Sequence, residues 1–148
     1  MATKQKPTDI PLVLESIRKK NGGILRAEDV VTAARPINHP LHSRFTWDNT
    51  EAAKQYRLWQ AREMIRVTVT FIGKARSTTR AYVSLIDDRK NEGGGYRTIQ
   101  SVMLNKSMRQ SLLNEALAEL KVFELKYHQL KELVPIFNAA QRVRNRAG

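Results

Sequence analysis

The spacing of apolar residues near the start of the chain predicts two short amphipathic helices. Apolar residues between Ile10 and Ile17 recur at intervals of three and four, which places them on one face of a helix. Asp9 can cap the start of this helix, and Gly22 follows the basic residues that suit its end. The same spacing recurs from Ala27 to Ala34 and stops at Pro36, because proline cannot continue a helix.

The middle of the chain predicts a longer helix followed by a β-hairpin. Asp48 followed three residues later by Glu51 is a capping-box pattern, so a helix should begin between them and run to about Ile65. The runs 67–72 and 81–86 are rich in β-branched and aromatic residues and therefore predict two strands. The segment between these runs is a basic loop. A helix joined to a hairpin with a cationic tip is the order of elements in a winged helix.

The apolar residues of this central helix do not form a single face. At about 100° per residue, two stripes lie on opposite sides. One stripe comprises Ala52, Tyr56 and Trp59, and the other comprises Leu58, Ala61 and Ile65. The pattern predicts contacts on two sides of the helix. For Tyr56 and Trp59 it favours packing in the core over stacking on nucleic-acid bases.

The segment 36–46 is long for the turn before a recognition helix. Its prolines and large apolar residues predict an ordered loop that packs against the domain. His39 and His42 lie three residues apart in this loop, but the chain has no cysteine and its third histidine, His128, is distant in sequence. We therefore expect surface or capping histidines and no metal site.

The C-terminal third predicts a long helix with an apolar stripe. After Gly93–Gly95, for which a flexible turn is favoured over a phosphate-binding loop, a third strand is expected near Tyr96–Ile99. A capping-box pattern at Ser107 opens a helix that should run to about Leu133, and Pro135 restarts a short one. Apolar residues repeat at intervals of three and four, and those expected to mediate association are Leu113, Leu120, Phe123, Tyr127, Leu130 and Val134. The stripe can pack on the chain's own N-terminal domain or on a second copy. A second copy is favoured, most simply in a homodimer.

The charge of the chain indicates a polyanionic partner. The 148 residues include 26 Lys and Arg against 14 Asp and Glu, a net charge of +12, and the basic residues recur along the whole sequence. Such an excess attracts nucleic acid. The absence of cysteine excludes disulfides, thiolate metal sites and cysteine nucleophiles. No apolar run approaches the roughly 20 residues of a membrane span, so a soluble, cytoplasmic protein is expected.

Seven basic residues are the expected contacts with DNA. Double-stranded DNA is expected because a helix is expected to enter a groove. Three belong to the central helix, three to the basic loop of the hairpin, and one follows the glycines. They are Lys54, Arg57, Arg62, Lys74, Arg76, Arg80 and Arg97. No cofactor is expected. No paired-carboxylate, Ser-His-Asp or metal-ligand arrangement occurs at usable spacing, so we do not expect an enzyme, although acid clusters such as Asp87 and Asp88 stay open.

The run Pro40–Asp48, continued by Ala52-Ala53, Tyr56-Arg57 and Gln60–Arg62, together with Gly94–Arg97, resembles a family of small phage and prophage proteins. The resemblance covers most of the chain, from about Gly23 to Phe137. It implies a phage or mobile-element setting in a bacterial host cell, and it implies nothing catalytic.

The fold class that these patterns predict is α+β. A winged-helix-like domain of three helices plus a hairpin or three-stranded meander is expected over residues 1–104, and a C-terminal helical oligomerisation segment over 105–148. We expect a DNA-binding protein that associates through its C-terminal helix and serves a regulatory or DNA-organising role. The alternative is a structural or adaptor protein of a phage particle or regulatory complex.

Overall fold

The computed structural model describes residues 8–72 and 77–147, and its fold is α+β. The chain divides into two compact units, one up to Ser101 and one from Val102. The described elements that lie wholly in the first unit are five helices, one of them a 3₁₀ helix, and four strands of two to four residues. The second unit is helical throughout its described elements.

Helix α1 (Ile10–Lys20) and helix α2 (Ala27–Ala34) match the prediction. The Asp9 carboxylate caps α1 by accepting a hydrogen bond of 3.3 Å from the backbone N–H of Leu12. Beyond α1 the chain turns through two glycines at φ values of 76° and 90°, a region that favours glycine. Two of the largest fully buried side chains of the first unit, Leu14 and Val30, lie on these helices.

The segment between α2 and the next long helix is ordered, as predicted. It contains a short 3₁₀ helix, His42–Arg44, and it buries Leu41 and Phe45. The indole Nε1 of Trp47 donates to the carbonyl of His42 over 2.8 Å. The His42 ring stacks on Trp47 at 4.9 Å between centroids, and its Nδ1 lies 3.0 Å from the carbonyl of Ala34. This histidine therefore fastens the loop to the end of α2.

Helix α3 (Glu51–Val67) is the longest helix of the first unit. Its start is capped by Thr50, whose Oγ1 accepts from the N–H of Ala53 over 3.2 Å. The prediction of Asp48 as the cap is wrong, because that carboxylate accepts from the adjacent N–H of Asn49 instead, over 2.8 Å. Threonine serves the same purpose two residues later.

Strands β1 (Val69–Ile72) and β2 (Ser77–Arg80) form the hairpin directly after α3. They are antiparallel, with Val69 opposite Arg80 and Ile72 opposite Ser77. The predicted run 81–86 is therefore wrong as the second strand of this hairpin, because the chain pairs with β1 already at Ser77–Arg80. Tyr82 and Val83 of that run do form a strand, but in the second sheet. The tip itself, 73–76, lies outside the described residues.

A second small sheet closes the first unit. Strand β3 (Tyr82–Val83) is buried and pairs antiparallel with strand β4 (Arg97–Thr98), which confirms the predicted third strand. A single bridge joins Leu25, between α1 and α2, to Tyr96. Between β3 and β4 lie a short helix, α4 (Ile86–Lys90), and the three glycines of 93–95. The core under these elements comprises Leu14, Leu25, Val30, Leu41, Ile65 and their buried neighbours.

The second unit is a helical hairpin. The division between the units falls within helix α5 (Ile99–Leu104), and helix α6 (Lys106–Tyr127) follows it. Asn105 caps α6 by accepting from the N–H of Met108 over 3.0 Å, so the predicted cap at Ser107 is wrong by two residues. A short 3₁₀ helix at Lys131–Leu133 leads into helix α7 (Val134–Ala147).

Helix α6 ends at Tyr127, before the predicted end near Leu133, and α7 folds back against it. The Phe123 and Phe137 rings meet edge to face at 6.3 Å. The guanidinium of Arg144 donates to the carbonyl of Leu117 over 3.2 Å and lies 3.7 Å from Glu124. Reversal of the chain buries Phe137 and Ala140, which a straight continuation of α6 would leave in solvent.

Candidate nucleic-acid interface

Helix α3 has one buried face, and the residues that occupy it recur every fourth position. They are Ala53, Arg57, Ala61 and Ile65. The prediction that this helix is contacted on two sides is wrong for the chain by itself, because Tyr56 and Trp59 are 48% and 52% exposed. Their rings stack on each other at 5.6 Å between centroids and 13° between planes. The expected core packing of these two aromatics is therefore also wrong, and they form a flat patch in solvent.

Arg57 was expected to face DNA, but the structure places it in the interior with only 4% exposure. Its Nη1 donates to the carbonyls of Thr46 and Asp48 over 2.9 and 2.8 Å. The guanidinium carbon also lies 5.3 Å from the centre of the Trp47 indole ring. Arg57 thus clamps the loop before α3 onto the helix, and it does not belong to a phosphate-binding surface.

Arg97 is also engaged within the first unit. Its Nε and Nη2 donate to the two carboxylate oxygens of Asp88, each over 2.8 Å, and Asp88 is buried. Hydrogen bonding to this carboxylate raises the pKa of Arg97 above its usual value. The pair joins α4 to β4 and so fixes the segment between β3 and β4. We therefore remove Arg97 from the expected DNA contacts.

The other expected contacts divide into exposed residues and residues of the hairpin tip. Lys54, Arg62 and Arg80 are exposed. Lys54 lies 3.6 Å from Glu51 in a solvent-exposed pair, which constrains it weakly. Lys74 and Arg76 lie outside the described residues.

Arg62 lines a cleft of about 530 Å³ in the first unit. Three segments distant in sequence build this cleft: the start of α2, the exposed side of α3, and the connection from β3 to β4. Its lining comprises Ala27, Glu28, Arg62, Ser84, Arg89, Asn91, Gly93–Gly95 and Tyr96. Within the described part of the chain, Arg62 has no carboxylate partner.

The glycines of the cleft are required by its geometry. Gly93 and Gly94 have φ values of 79° and 63°, which side chains other than glycine rarely adopt. A Cβ atom on Gly95 would lie 2.6 Å from the Cγ2 atom of Ile24, closer than packing permits. The expected flexible turn is therefore a turn of defined conformation, in which the backbone of Gly95 packs closely against Ile24.

The charges of the cleft suit an anion with several oxygens. Arg62 and Arg89 contribute two guanidinium groups, and Arg89 also donates to the carbonyl of Ser84. Glu28 supplies one carboxylate at the rim near Gly93, at 3.5 Å from the position of an added Cβ. Two arginines beside a glycine turn fit the oxygens of a phosphate group.

Arg89 is the residue of this cleft that the sequence pattern did not indicate. It belongs to a charged stretch that reads as a solvated turn, whereas the structure has it on α4. A signal was present in the spacing of Leu85 and Asp88, both buried and three residues apart, which is the spacing of one helical face.

No group of three or more possible metal ligands occurs among the described residues. In residues 8–72 and 77–147, no helix has the length and apolar character that a membrane crossing needs. Comparison with protein-family models, with curated proteins and with solved structures gives no match to this chain. The resemblance to phage proteins therefore stays a prediction.

Proposed function

We propose that this protein binds double-stranded DNA through its N-terminal unit, that copies associate through the C-terminal helices, and that the complex serves a regulatory or DNA-organising role in a phage or prophage. The observation that carries the proposal is the cleft in which Arg62 and Arg89 meet a glycine turn, in a chain with a net charge of +12. Phosphate contacts of this kind position a protein on duplex DNA whatever its sequence.

The order of elements supports a winged-helix relationship. Two short helices are followed by the longer α3 and then by strands, and Leu25 pairs with Tyr96 beside β4. A winged helix has the same features: a short extended segment between its first two helices lies at the edge of a sheet made by its last two strands. In that arrangement the wing corresponds to the connection Ser84–Gly95, which carries Arg89. The β1–β2 hairpin is then an addition that offers Arg80 as a further phosphate contact.

The apolar residues of the second unit support association of copies. Of the six residues expected to mediate it, five are between 37% and 45% exposed: Leu113, Leu120, Phe123, Leu130 and Val134. A single helical hairpin leaves this apolar surface in water, and burial against another copy would remove it. Two linked DNA-binding units would also bind duplex more tightly than one, because the second contact becomes intramolecular.

The cleft is tested by replacing Arg62 with alanine and measuring affinity for random-sequence duplex across a salt series. Arg62→Ala should weaken binding to every sequence alike and reduce the slope of log affinity on log salt by about one unit, as expected for one lost phosphate contact. Lys131→Ala, which removes the same charge from the second unit, is the matched control and should keep the wild-type slope. Equal slopes for wild type and Arg62→Ala would remove the cleft from the DNA surface.

An adaptor role is the second candidate, and the exposed Tyr56–Trp59 patch favours it. Aromatic residues of this kind are frequent anchors at protein interfaces. An adaptor would bind its protein partner through this patch with little dependence on salt. The two functions separate in the same titration: the net charge of +12 would attract duplex to an adaptor as well, but Arg62→Ala and Lys131→Ala should then change the salt slope equally.

A further inference from the structure

One face of helix α6 carries residues whose types are complementary about its midpoint. Six residues line a shallow groove of about 530 Å³ along α6, and we call them the α6 seam: Ala118, Glu119, Val122, Phe123, Lys126 and Tyr127. At the centre of the seam, Val122 is 67% exposed and Phe123 is 45% exposed. Although Phe123 also contacts Phe137, these two adjacent apolar side chains thus leave much of their surface in solvent in the middle of a charged helix.

The residues of the seam are complementary about the midpoint between Val122 and Phe123. Residues equally far before and after this point form three pairs. Val122 corresponds to Phe123, the acid Glu119 corresponds to the base Lys126, and the small Ala118 corresponds to the large Tyr127. A twofold axis through the midpoint would bring these residues opposite one another on two antiparallel copies of the helix.

We propose that a second copy of this chain occupies the α6 seam, with the two α6 helices antiparallel and the twofold axis between Val122 and Phe123. This inference rests on the association proposed above and adds its orientation and register. Of the six residues expected to mediate association, the seam includes Phe123 and Tyr127. In this arrangement the apolar pair meets its own copy at the centre, and Tyr127 of each copy fills the space above the other's Ala118. Glu119 of each copy meets Lys126 of the other.

The charges of the seam select this arrangement over a parallel one. Within residues 8–72 and 77–147, neither Glu119 nor Lys126 has an ion-pair partner, and the Lys126 Nζ lies 5.2 Å from the centroid of its own Tyr127 ring. Antiparallel pairing gives both groups an opposite charge. Parallel pairing would place Glu119 against Glu119 and Lys126 against Lys126, which is unfavourable at both positions. Duplex DNA is a poor occupant of the seam, because the centre of the seam is apolar and offers no charge to the phosphates.

Cross-linking tests the register directly, since the wild-type chain contains no cysteine. Val122→Cys should form an intermolecular disulfide under mild oxidation, because the two sulfurs would lie near the axis within bonding range. Ala118→Cys should not, because the two copies of this residue would be about 14 Å apart along antiparallel helices at 1.5 Å per residue. An equimolar mixture of Ala118→Cys and Tyr127→Cys should cross-link. Exposure of Val122 makes its substitution tolerable, and circular dichroism checks the fold.

Charge reversal supplies an independent test. Glu119→Lys and Lys126→Glu should each weaken the homodimer about tenfold or more, since each turns two attractive contacts into repulsive ones. A mixture of the two variants should regain wild-type affinity as a heterodimer. The double variant should also associate like the wild type.

The outcomes separate the register from the association itself. Sedimentation of the wild type as a monomer at tens of micromolar would overturn both. A wild-type dimer in which Ala118→Cys cross-links as fast as Val122→Cys would leave the association intact and overturn the antiparallel register. A wild-type dimer that neither cysteine cross-links would overturn the α6 seam as the interface.

Discussion

Arg57 is a charged side chain that holds the domain together from within. The side chain is buried, and its guanidinium donates to two backbone carbonyls, of Thr46 and Asp48. We expect Arg57→Ala to lower the free energy of unfolding by about 2–4 kcal/mol, because it removes two charged hydrogen bonds and the contact of a buried side chain with the Trp47 ring. Urea denaturation measures this change.

The matched control for Arg57 is Arg62→Ala, on the same helix but exposed, which should alter stability by no more than about 0.5 kcal/mol. The two variants should therefore affect different properties: Arg57→Ala reduces stability, and Arg62→Ala reduces affinity for DNA. Equal stability losses would show that Arg57 is not a clamp.

Glu15 links α1 to β3 and should make stability depend on pH. Its carboxylate accepts from Arg18 Nε over 2.9 Å and from the Tyr82 hydroxyl over 3.1 Å. The hydrogen bond from Arg18, aided by the one from Tyr82, lowers the pKa of Glu15 below its ordinary value of 4.5. The ionised form is thus favoured by folding, so its contribution is present above about pH 4.5 and is lost as pH falls through the lower folded pKa.

The variant Glu15→Gln tests this dependence. Thermal unfolding of wild type and variant, followed from pH 6 down to about pH 3, should give melting temperatures that differ most at pH 6 and converge in acid. Tyr82→Phe should reproduce part of the effect, because the phenol donates to Glu15. A difference that stays constant with pH would show that the carboxylate acts by packing alone.

Helix α3 is the element in which the sequence pattern and the structure differ most. The pattern located the helix to within two residues, since capping residues and helix formers act locally. It assigned the faces wrongly, because it took Arg57 as a solvent residue and the aromatics as core. The position of a long cationic side chain that donates to loop carbonyls is set by tertiary contacts. The periodicity of apolar residues along a helix carries no information on such contacts.

The exposed face of α3 makes a prediction for fluorescence. Trp59 is 52% exposed, whereas Trp47 is partly buried and packs against His42, Phe45 and Arg57. Acrylamide should quench the wild type strongly, and Trp59→Phe should remove most of the quenchable emission. If duplex DNA covers this face, it should protect the Trp59 signal in the wild type. Equal quenching of wild type and Trp59→Phe would place Trp59 in the interior.

The other elements show why local signals succeed and distant ones fail. Helices α1 and α2 and strand β4 were predicted from spacing, caps and turns. The end of α6 was not, because it depends on the return of α7 and on the burial of Phe137. The cleft at Arg62 joins three segments distant in sequence, so its residues could not be grouped before the fold was known.

At the scale of the whole molecule, the two units divide the proposed work. The first unit carries the cleft at Arg62, and the second carries exposed apolar residues suited to another copy. Association would then strengthen DNA binding without a new contact to DNA.

Phe123→Asp places a charge in the centre of the α6 seam, and the cost of burying it should prevent association. The variant should sediment as a monomer and bind duplex more weakly than the wild type.

The most direct test of DNA binding is a fluorescence-anisotropy titration of the wild-type protein with a labelled random-sequence duplex at several salt concentrations. We expect log affinity to fall linearly with log salt. Three phosphate contacts would lower the affinity roughly 40-fold between about 50 and 200 mM salt. Absence of binding at about 50 mM salt, or an affinity that does not change with salt, would contradict the account.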